Sequence, residues 1–233
     1  MNKEGKFLRW ESRFRNWVTP DGNAGPSGKD GFAAASGRYH LYVSYACPWA
    51  HRTLIYRKLK QLEDHISVSV VHPVMPAESW VFFDYPGSTP DHIHGYPRLA
   101  DLYQRVDPGF DGVVTVPVLY DKQRGLIVNN ESSEIIRMFN QAFDEWGNGE
   151  LDLYPEALRS EIDSINSVVY DKINNGVYKT GFATRQRAYN EAFNELFTAL
   201  DDLELRLSHQ RYLVGNQITE ADWRLFPTLV RFD

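Results

Sequence analysis

A chain of 233 residues exceeds the usual domain size of about 100–150, so one large domain or two smaller ones is expected. Its formal charge of −6 and its lack of a long basic run give no reason to expect nucleic acid, and no apolar stretch approaches the roughly 20 residues of a membrane span. The first 15 residues are too charged for a signal peptide, and a single cysteine excludes an internal disulfide and a cysteine-rich zinc site, so a cytoplasmic protein without a metal is expected.

Residues 1–38 combine turn clusters, Pro20-Asp21-Gly22 and Gly25-Pro26-Ser27-Gly28, with Trp10, Phe14 and Trp17, and read as an extended arm pinned by aromatics. A strand runs from Tyr39 toward Cys47. The helix after it places Ala50, Leu54, Ile55, Leu59 and Leu62 at helical spacing. Ile66, Val68 and Val70 then alternate with Ser67 and Ser69, which predicts a second strand and a right-handed βαβ crossover. The Pro-, Gly-, Asp- and His-rich residues 72–97 are long for a connection inside a compact domain and point to a functional or partner-facing insert; His92 and His94 within it read as loop histidines rather than ligands.

A short helix is predicted near residues 97–106. Residues 114–120 read as a strand interrupted by Pro117, tolerated at a sheet edge or at a cis peptide. A turn leads into the strand 126–128, and Asn129-Asn130 is placed to cap a helix over residues 131–143. Beyond Gly147-Asn148-Gly149 the pattern becomes helical, over residues 155–174, 184–208 and from Thr219 onward, where Thr219 and Asp222 have capping-box spacing. The expected organisation is an arm (1–38), an α/β domain (39–146) and an all-α domain (150–233).

Cys47 is the candidate for activated sulfur chemistry. It stands where a strand gives way to a helix, and Pro48 suits the first helical position because its missing N–H would have had no partner. Exposed amides and the helix dipole at such a position favour the thiolate, the nucleophilic form of sulfur, and His51 and Arg52 add positive charge nearby. The first turn of the helix at Glu131, with Ser132 and Ser133, can likewise hold an anion.

The order of strand, Cys-Pro helix, strand, Val-Pro strand, hairpin and Glu-Ser helix, followed by helices, resembles the cytosolic glutathione transferases with their thioredoxin-like first domain. Three strings narrow it: Ala46-Cys47-Pro48-Trp49-Ala50-His51-Arg52, the run 130–140 beginning Asn130-Glu131-Ser132-Ser133-Glu134, and the run 174–183 containing Asn174-Asn175-Gly176-Val177-Tyr178. They are similar to the glutathionyl-hydroquinone reductases, or xi class. The resemblance implies that Cys47 is the nucleophile, that Trp80 packs against glutathione, and that the backbone at Val116, before Pro117, pairs with the tripeptide. Glu131 and Ser132 match its γ-glutamyl site, and Tyr178 matches a tyrosine lining the hydroquinone pocket. The chemistry of Glu131 suits the ligand ammonium, and Ser132 with the helix amides suits its carboxylate. Two departures stand out: Val113 occupies the place of the family's usual arginine, and family members continue for several helices that contribute to the aromatic pocket and the dimer contact.

The implied reaction is glutathione-dependent reduction of glutathionyl-hydroquinones. The motif Cys47-Pro48-Trp49-Ala50 lacks a resolving cysteine, so a Cys47–glutathione disulfide would be resolved by free glutathione. Tyr178 is the candidate acid for the departing aromatic carbon. Expected partners are glutathione, glutathionylated hydroquinones and a second copy of the chain. The alternatives are a general glutathione-dependent thiol transferase, and a non-catalytic glutathione-binding fragment.

Overall fold

The computed structural model describes residues 1–76 and 79–232. It separates into two compact units, Ser12–Leu151 and the combination of Met1–Glu11 with Asp152–Asp233.

In the first unit β1 (Trp17–Thr19) and β2 (Gly31–Ala33) form a short parallel pair inside the arm. The main sheet contains β3 (Tyr39–Val43), β4 (Ile66–Val70), β5 (Val118–Asp121) and β6 (Leu126–Asn129) in the order β4-β3-β5-β6. β3 and β4 are parallel, joined through α1 (Pro48–Leu59), while β5 runs antiparallel to β3 and β6. This is the expected thioredoxin-like pattern. The register decides what meets: Val43 pairs with Val70, Tyr42 with Val118 and Leu119 with Asn129. The chain therefore leaves β3, β4 and β6, and enters β5, at one end of the sheet.

Three local expectations need correction. In α1 the buried residues are Ala50, Arg52, Thr53 and Tyr56, while Leu54, Ile55 and Leu59 are only half-buried. The packing partner, not the apolar stripe, chooses the inward face, and the Thr53 hydroxyl meets its own need by donating to the Ala50 carbonyl at 2.7 Å. In β4 the strict alternation fails because Ser69 is fully buried: the His40 ring lies between the hydroxyls of Ser67 and Ser69, with Nδ1 at 2.7 Å and Nε2 at 2.9 Å. The strand predicted from residue 114 starts only at Val118. Pro117 precedes it through a cis peptide with Val116, and β5 lies inside the sheet, so the edge alternative is excluded.

α2 (Leu99–Val106) and α3 (Ser132–Gln141) complete the first unit. α3 is shorter than predicted, and its N-cap is Glu131 rather than Asn130. The Glu131 side chain accepts from the Ser133 amide at 3.2 Å, while Asn129 Oδ1 takes the Glu131 amide at 2.7 Å.

The second unit is helical: α4 (Arg159–Val168), a π turn over Val169–Asn174, α5 (Gly176–Gly181), α6 (Gln186–His209) and α7 (Glu220–Leu229). The single helix predicted over 155–174 is thus a 3₁₀ turn, α4 and a π turn. The wide turn keeps Val169 and Ile173 in a core with Ile162, Leu196, Leu203 and Leu225, and sets Asn174 Nδ2 2.8 Å from the Thr228 hydroxyl. A Cβ on Gly176 would stand 3.3 Å from Leu196, so α5 and α6 approach closely there. The predicted capping box opens α7, with the Thr219 amide donating to Asp222 Oδ2 at 2.8 Å.

Candidate functional site

Cys47 is the N-cap of α1, with extended backbone (φ −84°, ψ 118°) and Pro48 directly after it. The Ser44 carbonyl takes the Cys47 amide at 3.1 Å, and the Cys47 carbonyl takes the His51 amide at 3.0 Å, which begins the helical ladder. The thiol is half-buried and donates to the Val116 carbonyl, with Sγ 3.6 Å from the oxygen. Two residues assigned from sequence, Cys47 and Val116, are therefore in contact although 69 positions apart. The start of α1 favours an anionic sulfur through its amides and dipole. Arg52, expected to add charge nearby, is 1% exposed, with its guanidinium 4.9 Å from the centre of the Trp49 ring.

Glu131 and Ser132 stand together at the start of α3, the second helix opening at this end of the sheet. Glu131 Oε1 accepts from the Ser133 amide and from the Ser133 hydroxyl at 2.8 Å, and Oε2 accepts from Ser12 at 3.1 Å. One turn on, Glu134 joins Arg15, Ser27 and Asn129. Burial pulls its carboxyl upward, but the hydrogen bonds from Arg15, Ser27 and Asn129 outweigh that and leave it below the usual carboxylate range.

Trp80 lies half-buried in the insert that leaves β4. Its carbonyl accepts from Leu99 at 2.9 Å, the Val81 carbonyl accepts from His72 at 2.8 Å, and Val81 forms a bridge with Arg98. The insert is anchored by Asp91, buried, which takes the Tyr42 hydroxyl at 2.9 Å and the Ile93 amide at 3.0 Å. His92 and His94 serve the same anchoring, against Ser69 and the Tyr120 hydroxyl. Val113 is exposed on the approach to Val116.

Tyr178 belongs to the other unit, on α5. Its ring stacks on Phe7 at 5.9 Å and lies 6.0 Å from that of Phe182, and the Arg9 guanidinium sits 4.5 Å from its centre. The Arg9 Nε also donates to Asn175. Ser12 and the Arg15–Glu134 pair are the site features that sequence reasoning missed. Nothing in the arm's composition marks a serine that meets a helix start 119 positions away.

Comparison with known proteins fits this geometry. Residues 46–142 match the family model of the glutathione S-transferase N-terminal domain, and residues 186–233 that of the C-terminal domain. The chain is 58% identical to the glutathionyl-hydroquinone reductase YqjG of Escherichia coli, over 98% of this chain and 70% of that protein. The chain belongs to the glutathionyl-hydroquinone reductases. It is also 51% identical to the family member PcpF of Sphingobium chlorophenolicum, over 98% of this chain and 70% of that protein. Among solved structures, this reductase chain superposes on glutathione-bound YqjG with a TM-score of 0.92, covering 94% of this chain and 72% of that one. The xi-class transferase of Phanerochaete chrysosporium, 54% identical, also gives 0.92, over 97% and 76%. Among the described residues of this reductase, no helix is long and apolar enough to cross a membrane, and no group of three or more His, Cys, Asp or Glu could hold a metal.

Proposed function

We propose that this chain reduces glutathionyl-hydroquinones to hydroquinones with glutathione as co-substrate, through a Cys47–glutathione disulfide. The observation that carries the reading is the lone thiol at the start of α1, in a chain with no second cysteine to resolve it. Cys47 thiolate attacks the sulfur of the glutathionyl group: an S–S bond forms, the aromatic C–S bond breaks, and its electron pair stays on the ring carbon. That carbon takes a proton from the Tyr178 phenol, and hydroquinone leaves. Glutathione thiolate then attacks the mixed disulfide, releasing glutathione disulfide and restoring Cys47.

Glutathione is held, in this reading, by Trp80 beside the tripeptide, by the backbone at Val116 and Pro117, by Glu131 at the γ-glutamyl ammonium, and by Ser132 with the α3 amides at its carboxylate. The glutathione-bound structure of the relative supports this choice of co-substrate. A chemistry that consumes free glutathione belongs in a reducing compartment, so the cytoplasm is its place. A homodimer is supported by the exposed aromatic stripe of α6, where Tyr189 stacks on Phe193 at 5.7 Å and the Phe197 ring lies tilted 4.3 Å from that of Phe193.

The test is intact-protein mass spectrometry after mixing the chain with a glutathionyl-hydroquinone, with free hydroquinone followed chromatographically. One glutathione adduct per chain with stoichiometric hydroquinone is expected, and neither product with Cys47→Ser. Full turnover by Cys47→Ser would sink the mechanism.

A further inference from the structure

The arm reaches the candidate glutathione site through backbone pairing. Arg15 forms an antiparallel bridge with Asn129, the Asn16 amide donates to the Val128 carbonyl at 3.0 Å, and the Asn130 amide donates to the Phe14 carbonyl at 3.0 Å. Residues 14–16 thus lie along β6 as an added strand. Side chains fasten this strand: Arg15 Nε donates to Glu134 Oε2 at 2.7 Å, and Phe14 packs against Tyr103 and Phe110 at 5.7 and 5.9 Å.

Ser12 projects from the fastened strand onto the start of α3. Its hydroxyl lies 3.1 Å from Glu131 Oε2 and 3.3 Å from the Asn130 carbonyl oxygen. The other oxygen, Glu131 Oε1, is held by the amide and hydroxyl of Ser133. Both oxygens of one carboxylate are therefore oriented by neutral donors, two on Oε1 and one on Oε2, so that an acceptor site remains on Oε2 for a cation. A carboxylate ordered before its ligand arrives spares the binding step the cost of ordering it.

We infer that Ser12 is a positioning residue for glutathione, presetting the Glu131 carboxylate for the ligand's ammonium; this rests on the reading of Glu131 given above. Ser133 lies in the same helical turn as Glu131. Ser12 is brought by tertiary structure alone, and makes the arm part of the glutathione site.

The experiment is calorimetric titration of glutathione into the Cys47→Ser protein carrying Ser12→Ala, Ser12→Thr, Glu131→Gln, or Ser12→Ala with Glu131→Gln. Ser12→Ala should raise the glutathione Kd about three- to tenfold, as loss of one hydrogen bond to a charged group does. Ser12→Thr should restore it, and adding Ser12→Ala to Glu131→Gln should weaken binding no further, because Ser12 acts through Glu131. With Cys47 intact, Ser12→Ala should raise KM for glutathione and leave kcat at saturation unchanged. Unaltered affinity in Ser12→Ala, while Glu131→Gln weakens binding, would overturn the inference and leave the reading of Glu131 standing. A loss that Ser12→Thr does not rescue, or that adds to Glu131→Gln, would overturn it in favour of a structural role for the arm. If Glu131→Gln itself binds normally, the reading of Glu131 fails, and this inference with it.

Discussion

The Ser12–Leu151 unit seals His40, Arg52, Lys60, Asp121 and Asn129 away from solvent, whereas the helical unit is built on an aliphatic seam through α4, α6 and α7. The helical unit's buried polar contacts gather on α7, as in Asn166 Nδ2 donating to Glu220 at 2.9 Å and Asn174 to Thr228. The contrast follows from backbone chemistry. A helix satisfies its own amides and carbonyls along most of its length, so apolar side chains can do the packing. A small sheet whose loops converge at one end leaves many backbone groups to be met by side chains. Lys60 shows this: fully buried, it donates to Asp144 at 2.9 Å and to the Leu151 carbonyl at 2.8 Å. In the proposed reaction the sheet unit supplies the thiol, and the helical unit supplies stability together with one proposed acid.

Changes in the helical unit should separate those last two roles. Tyr178→Phe is expected to slow hydroquinone release about a hundredfold, the lower range for loss of a general acid. Glutathionylation of Cys47 by glutathione disulfide, which needs no proton on carbon, should stay within about twofold. Equal losses in both assays would mean that Tyr178 only supports the fold. Asp222→Ala should instead act on stability alone. It removes acceptors for the Thr219 and Leu213 amides, at 2.8 and 2.9 Å, and should cost about 2 kcal/mol, or about 4–8 °C in Tm. Glutathione affinity unchanged at 20 °C would confirm the division of labour, and a parallel loss of affinity would break it.

The smallest effect belongs to the sheet unit and depends on pH. Burial drives the His40 pKa from 6.5 down to about 3, so the folded chain keeps the ring neutral between Ser67 and Ser69. Between those values the unfolded chain binds a proton that the folded chain does not. Stability therefore falls as the pH drops below 6.5, by at most about 1.4 kcal/mol per pH unit. Urea midpoints at pH 7 and pH 5 should show this slope, and His40→Gln should flatten it. An unchanged slope would place the acid sensitivity elsewhere.

Much of this was legible in one sequence because it is local. The Cys-Pro pair announces a helix start, Thr219 with Asp222 announces another, and the spacing of 39–47 and 66–70 announces the βα unit. The misreadings were also local. Of the apolar positions at helical spacing, Ala50 and Leu62 are buried but Leu54, Ile55 and Leu59 only half-buried, because apolarity is a fair guide only when a helix has one wet face. The alternation over 66–70 fails at Ser69 because nothing in it foretells that His40, on the neighbouring strand, would meet that hydroxyl.

By itself the sequence determined the proposed reactive atom, the helix start at which it stands, the family, and the second helix start at Glu131 and Ser132, since each is written in residues adjacent along the chain. Only tertiary structure decided that Val116 faces Cys47, that Ser12 reaches Glu131, and which face of α1 turns inward. Those contacts join positions tens of residues apart, and they exist because strand register and helix packing set their distances, which no local pattern encodes.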